Sequence, residues 1–341
     1  MYTALNGTDV NVVGGRVVGP GTGGFTLGGG YSWLTDQYGL TSDTVVSFNL
    51  VLPNGTATVV DASTPDLFFA LKGGLNRFGV VTSIVYNTVP QPNLVYAGIQ
   101  VFGSSEVPAL IEATNTFQQT NTDPKAQVIL TLNSGLSSSA LLLSFYDGPG
   151  RPSAFDPFSN ISAEISTLQV QTFASFSQSI QSSIASGNRG AFATLSTSGL
   201  TPNFMTAVAN ESTYYGELAL LHSGTMLSYD IEPFLKYGQH ATESAFPHSN
   251  SPLPLNLYYS WILESEDAYW RGVMQQSIDS LTEIAKTEGI YDPDMYAYPN
   301  YALNTYTGEQ LYGPTNAARL RALQSEYDPE GIMLPAGGFS L

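Results

Sequence analysis

Nine of the seventeen residues from 14 to 30 are glycine (14, 15, 19, 21, 23, 24, 28, 29 and 30). No long helix or strand suits that density, since each glycine in such an element costs roughly 0.5–1 kcal/mol. The stretch reads as a backbone path that can take positive φ and let a ligand come close. Successive N–H groups in such a path can cradle phosphate oxygens without Lys or Arg. The same glycines could also serve tight turns alone, and at this point both readings stand. Gly19-Pro20-Gly21-Thr22-Gly23-Gly24 satisfies G-x-G-x-x-G, with Asp43 nineteen residues further on, where a dinucleotide fold would place its ribose acid. A Rossmann helix must start inside that motif, and the triple glycine 28–30 that follows at once disfavours it.

Composition narrows the partners. Lys plus Arg is 11 and Asp plus Glu is 28, a formal charge of −17, and only 11% of residues are charged. With 4 Lys and 7 Arg scattered through 341 residues, nucleic acid and anionic membrane surfaces are excluded as partners. The absence of cysteine removes disulfides, thiolate metal sites and cysteine nucleophiles together. Asn-X-Ser/Thr triplets at Asn6, Asn54, Asn160 and Asn210 are compatible with a secreted glycoprotein.

Along the chain, Val10–Val18, Thr44–Leu52, Ala57–Val60 and Val80–Thr88 read as strands, with a turn at Pro53-Asn54-Gly55. Thr64–Leu71 suits a short helix with Thr64 as N-cap and Pro65 at N1. The Val89-Pro90-Gln91-Pro92 breaker suggests a domain boundary. Beyond it come a strand at Val95–Phe102, a helix at Val107–Gln119 and a hairpin from Gln127–Leu132 and Ala140–Tyr146. Further strands are expected at Leu218–Asp230 and Leu255–Leu263, and helical spacing appears in Phe173–Ser186, Glu264–Glu288 and Thr315–Ser325.

The run from Gly23 to Phe48, Gly-Gly-Phe-Thr-Leu-Gly-Gly-Gly-Tyr-Ser-Trp through Ser-Asp-Thr-Val-Val-Ser-Phe, resembles the flavin-binding region of berberine-bridge-enzyme-like FAD-linked oxidoreductases. Similar likenesses lie at 66–74 and 78–82, and in the tail at 298–301, 311–316, 319–320 and 327–329. The resemblance implies an α+β fold: part of a PCMH-type FAD-binding domain in 1–92, an antiparallel-sheet substrate domain backed by helices in 93–290, and a C-terminal segment, 291–341, returning to the FAD domain. It also implies FAD contacts from Gly21, Thr22, Gly23, Gly24, Phe25, Gly28, Gly29, Gly30, Tyr31 and Ser32, from Asp43, from Val80 and Val81 toward the adenine, and from Asn300 at the flavin ring. The substrate-domain sheet would cover the reactive flavin face, with Tyr258, Tyr259 and Trp261 turned to the ligand.

The chain also departs from that family. It contains no Gly-Gly-His, so the expected upstream FAD subdomain, with its Arg-x-Gly-Gly-His loop, has no counterpart, and His222, His240 and His248 sit elsewhere. A missing N-terminal FAD lobe is therefore an expected partner. The cysteine used by bicovalent relatives falls on Val17, and a histidine of some relatives falls on Phe25. FAD is thus expected to be held non-covalently.

Tyr298 and Tyr301, three residues apart, are the candidates for proton transfer, with Tyr301 favoured by the resemblance; packing is the alternative in a chain with 20 tyrosines. A tyrosine base needs a lowered pKa, which burial alone opposes, so a neighbouring donor or the oxidised flavin must stabilise its phenolate. Glu264, Glu266 and Asp267 resemble a hydrolase carboxylate pair, yet they open the clearest helix, where acids favour the macrodipole. His240 and His248 lack a neighbouring acid pair, and no metal is expected. The reading is an FAD-dependent oxidoreductase that passes a hydride from an alcohol, sugar or secondary metabolite to flavin N5 with a tyrosine base. The alternative is a non-catalytic remnant or binding module that holds FAD weakly or not at all.

Overall fold

A computed structural model describes residues 1–135, 138–180, 188–336 and 338–341. Two compact units emerge. The first contains Met1–Gln91, Lys236–Ser251 and Tyr296–Leu341; the second contains Pro92–Leu235 and Pro252–Met295. Lys236–Ser251, inside the stretch expected to be substrate domain, belongs to the first unit.

In the first unit, β1 (Val10–Asn11) pairs with β5 (Val89–Pro90). The strand expected over Val10–Val18 shrinks to these two residues, because Gly14, Gly15, Gly19 and Pro20 do not sustain a ladder. The glycine path then makes one short helix, α1 (Thr22–Leu27), which ends at Gly28. A helix therefore does begin inside the G-x-G-x-x-G run. The sheets of this unit are antiparallel, so the parallel βαβ frame of a dinucleotide fold is missing among the described residues. Strands β2 (Val45–Val51), β3 (Ala57–Val60) and β4 (Val80–Tyr86) form a sheet in the order β3-β2-β4. Gly55, at φ 82°, allows the tight turn between β2 and β3. Val46, Val59, Val80 and Val85 on these strands are exposed.

Helix α2 (Pro65–Leu71) follows Thr64, which makes no side-chain cap bond; its hydroxyl donates instead to the Asp61 carbonyl at 3.1 Å. Leu67, Phe69, Ala70 and Leu71 fill the unit's core. The C-terminal helical stretch, Gly308–Tyr327, is two helices, and the second carries the expected Thr315–Ser325. The stretch bends at Gly313, whose φ of 71° precedes Pro314.

The second unit holds one antiparallel sheet of eight strands among the described residues. Its strands are β6 (Val95–Phe102), β7 (Ala126–Gly135), β8 (Ser139–Tyr146), β9 (Ile165–Ser166), β10 (Gln169–Gln171), β11 (Arg189–Thr197), β12 (Gly224–Ile231) and β13 (Leu253–Trp261). The order is β10-β6-β8-β7-β12-β13-β11, with β9 also on β6. Helices α3 (Val107–Thr120), α5 (Pro202–Leu218) and α6 (Asp267–Thr287) cover one face, α5 lying on β7 and β12 and α6 on β11 and β13. Between them in sequence, α4 (Phe173–Ser179) takes the first half of the helix expected over Phe173–Ser186; residues 181–186 lie outside the described ones.

Leu218 ends a helix rather than starting a strand, and α5 is the largest element the periodicity misses. It is signalled by Thr201, whose hydroxyl caps the Phe204 N–H at 3.1 Å, and by Pro202 at its first turn. The α+β class, with a helix-backed antiparallel sheet, is the one the sequence implies.

Candidate active site

The glycine path is locked to the tail by two tyrosines and an asparagine. Pro299–Tyr301 is a single 3₁₀ turn, closed by the Tyr301 N–H donating to the Tyr298 carbonyl at 3.0 Å. From that turn the Asn300 amide donates to the Phe25 carbonyl (3.0 Å) and to the Tyr298 hydroxyl (2.8 Å). The Gly30 N–H donates to the same hydroxyl at 2.9 Å. A Cβ on Gly28 would stand 2.0 Å from Asn300 Oδ1, so only glycine lets the two chains approach this closely. Gly30, at φ 92°, is closed in by Thr41 and Phe25. Gly28–Gly30 are thus spent on packing the loop against its own protein.

The earlier half of the path differs. A Cβ at Gly21, Gly23 or Gly24 would meet nothing within 4 Å. Here the backbone is bare on its outer side, open to close approach. Tyr31 is buried, packing edge-on to Tyr298 at 4.7 Å with its hydroxyl bonded to that of Tyr237. Ser32 makes a local turn, its N–H donating to Thr35 Oγ1 at 2.8 Å. Val80 is exposed at the start of β4, opposite Val51, and Val81 is half-buried opposite Leu50.

Tyr298 and Tyr301 sit edge to face at 4.8 Å, yet their surroundings are opposite. Tyr298 is fully enclosed. Burial pushes its pKa up to about 12, although the hydrogen bonds from Asn300 and Gly30 pull the other way. Tyr301 is only half-buried, and its hydroxyl accepts a hydrogen bond from Arg16 Nη2 at 2.6 Å. Arg16 is itself buried, with its carbonyl held by the Trp33 indole N–H at 3.2 Å. Sequence reasoning did not single out Arg16. The signal available was a cation following two glycines at the mouth of the glycine path.

Asp43 Oδ2 accepts from the Leu40 N–H (2.8 Å) and from His248 Nε2 (2.9 Å), and its Oδ1 accepts from the Thr242 N–H and hydroxyl (both 2.8 Å). Both carboxylate oxygens are taken by the protein, so Asp43 ties Lys236–Ser251 to the turn after the glycine path. Burial works against its ionisation, but His248 and Thr242 outweigh it and hold the carboxyl below its usual range. Lys72 joins the cluster, donating to the Thr242 hydroxyl.

In the second unit, β13 is buried along its whole length. Tyr259 and Trp261 share a face, as alternation requires, but α6 covers that face. The Tyr259 hydroxyl bonds to that of Tyr229, which also meets Ser277 at 2.8 Å, and the Trp261 indole donates to Asp267 at 2.8 Å. Both are core residues rather than ligand contacts. Tyr258 lies on the opposite face, tilted against Phe192 at 4.9 Å.

That second face carries a polar group the sequence did not flag. Asp230 accepts from Thr131 (2.7 Å), Ser228 (3.0 Å) and Asn256 (2.8 Å), three buried residues, and Asn256 Oδ1 is left without a hydrogen-bond partner. These residues lie on three adjacent strands, and only register brings them together. The acidic cluster at the start of α6 is spent on structure. Asp267 is held down to about 2 by its hydrogen bond from Arg189, and Glu266 pairs with His222 at 2.9 Å.

No family model matches the chain. An uncharacterized FAD-linked oxidoreductase of Arthroderma benhamiae is 38% identical over 180 residues, covering 52% of this chain and 36% of that protein. The FAD-dependent monooxygenase yanF of Aspergillus niger is 29% identical over 356 residues, covering 98% of this chain and 58% of its own. The chain therefore spans less than two thirds of the length of either relative. Among solved structures, BBE-like 1 of Physcomitrella patens superposes with a TM-score of 0.77 at 18% identity, over 99% of this chain and 73% of that one. The chain thus shares the fold of BBE-like 1, and its sequence relatives are named an FAD-linked oxidoreductase and an FAD-dependent monooxygenase.

Proposed function

We propose that the chain acts as an FAD-dependent oxidoreductase on an alcohol, sugar or hydroxylated secondary metabolite, with Tyr301 taking the hydroxyl proton. The observation that carries this reading is the position of Tyr301: half-buried, fixed by a turn that Asn300 anchors to Phe25, and therefore part of the frame of the glycine path. When bound, FAD supplies the two-electron acceptor for the hydride. Gly21–Gly24 give it bare backbone, and Tyr298 holds Gly30 in place.

The test has two stages. The purified chain is examined for a flavin absorption spectrum before and after adding FAD, and flavin reduction is then compared between the parent and Tyr301→Phe. Loss of the phenol oxygen is expected to slow reduction by ~10²–10⁴-fold with the flavin spectrum unchanged. Equal rates would move the base elsewhere.

A second reading is favoured by the exposed Val46, Val59, Val80 and Val85 on the three-stranded sheet. Here the chain needs a separate FAD-binding lobe as partner and binds FAD weakly or not at all alone. Adding that lobe as a second polypeptide then raises the melting temperature and restores the flavin spectrum.

A further inference from the structure

The geometry points to Arg16 as the positioning residue that keeps Tyr301 ionised for its task. This rests on the reading of Tyr301 as base and supplies what that reading lacks, a reason for a phenol to accept a proton near neutral pH. A guanidinium has only donors and stays charged, so across the 2.6 Å contact the Tyr301 oxygen must be the acceptor. A cationic donor favours phenolate over phenol, and more strongly where water is scarce. Arg16 is buried, so its charge is little screened at Tyr301.

The neighbouring tyrosine provides the contrast. Tyr298 accepts from neutral donors, the Gly30 and Tyr31 N–H groups and the Asn300 amide, and feels Arg16 only through space; its enclosed position outweighs them all and pushes it up to about 12. It stays a phenol. Two adjacent tyrosines are thereby driven apart, one kept neutral to hold the loop and the other ionised to take a proton. In the proton step the substrate O–H bond breaks and a phenol O–H forms on Tyr301. Arg16 keeps its protons throughout and changes only the partner charge it balances.

The experiment follows tyrosinate ultraviolet absorbance against pH in the parent chain and in Tyr301→Phe, Arg16→Gln and Arg16→Lys, with melting temperatures as the folding control. The parent is expected to show one tyrosine ionising at a proton concentration at least about tenfold above that of an ordinary tyrosine. Tyr301→Phe removes that step. Arg16→Gln moves it back at least about tenfold, and Arg16→Lys, with its charge but without the planar fork, moves it less. Should Arg16→Gln fail to fold, the parent, Tyr301→Phe and Arg16→Lys decide the matter. Indistinguishable titrations of the parent and Tyr301→Phe overturn the inference, as does an early step that neither Arg16 variant shifts. If the step depends on Arg16 but Tyr301→Phe reduces flavin at the parent rate, the ionised pair stands and the base assignment falls.

Discussion

His248 and Asp43, 205 residues apart in sequence, meet at 2.9 Å with both side chains almost wholly out of solvent. The other ring nitrogen of His248 faces the Phe246 carbonyl at 2.8 Å. The carboxylate only accepts, so His248 Nε2 is the donor in this contact. The ring lies parallel to Tyr237 on one side and Phe246 on the other.

The buried Asp43 carboxylate takes four donors, and an amide in its place turns one acceptor oxygen into a donor that faces them. Asp43→Asn should therefore cost about 3 kcal/mol or more in urea unfolding. The folded pKa of Asp43 lies below its ordinary value of 3.8, so its contribution is complete above that value and disappears as pH falls through the lower folded one. The parent should lose stability on acidification through that window, and the Asp43→Asn variant should lose less. Parallel acid curves for the two would contradict the assignment.

Tyr298→Phe should show up in stability rather than in proton transfer. It leaves the buried Gly30 N–H without its acceptor, a loss of about 1–3 kcal/mol. Flavin reduction per bound flavin should fall far less than in Tyr301→Phe, measured in the same stopped-flow series.

Gly28→Ala places a methyl group where Asn300 Oδ1 now stands. Asn300 must swing away, releasing both the Phe25 carbonyl and the Tyr298 hydroxyl. A lower melting temperature and weaker FAD retention are expected together, and Asn300→Gly in the same chain should recover part of the former by removing the clash.

The two faces of β13 should separate cleanly. Tyr259→Phe breaks a buried hydroxyl chain and is expected to lower stability by roughly 1 kcal/mol with KM unchanged. Asp230→Ala leaves Thr131, Ser228 and Asn256 without their shared acceptor and is expected to lower the melting temperature more than Tyr259→Phe does. A raised KM in Tyr259→Phe at unchanged stability would return Tyr259 to the ligand.

Flavin recovered with the chain should be released entirely by acid precipitation, since the sequence has neither a Gly-Gly-His nor any cysteine to form a covalent link. Flavin retained through denaturing electrophoresis would refute this.

Elements whose signal is local were legible in the sequence. Ala57–Val60 and Val95–Phe102 are strands with the bounds that alternation and turn residues give them. Helix α5 was missed because Ser, Thr, Asn and Tyr dilute its apolar stripe, and β11 because it follows a Ser-rich run. At the site, the likeness in the tail brought out Asn300 and Tyr301, whose contacts with Phe25 and Arg16 are now visible. The contacts of Asp43 were not legible, because neither the likeness nor the spacing from a glycine motif points to a histidine two hundred residues away. Tyr259 and Trp261 were misread because alternation tells which residues share a face, not which face a helix will cover.

The first unit is assembled from three separated stretches, 1–91, 236–251 and 296–341. During translation the glycine path leaves the ribosome 268 residues before the tyrosine that will hold Gly30, a delay on the order of ten seconds to a minute at ordinary elongation rates. Through that interval the nascent N-terminal ninety residues hold exposed strand edges with no tail to close against. Unpaired strand edges left open for that long are where a chain of this kind is exposed to misassembly.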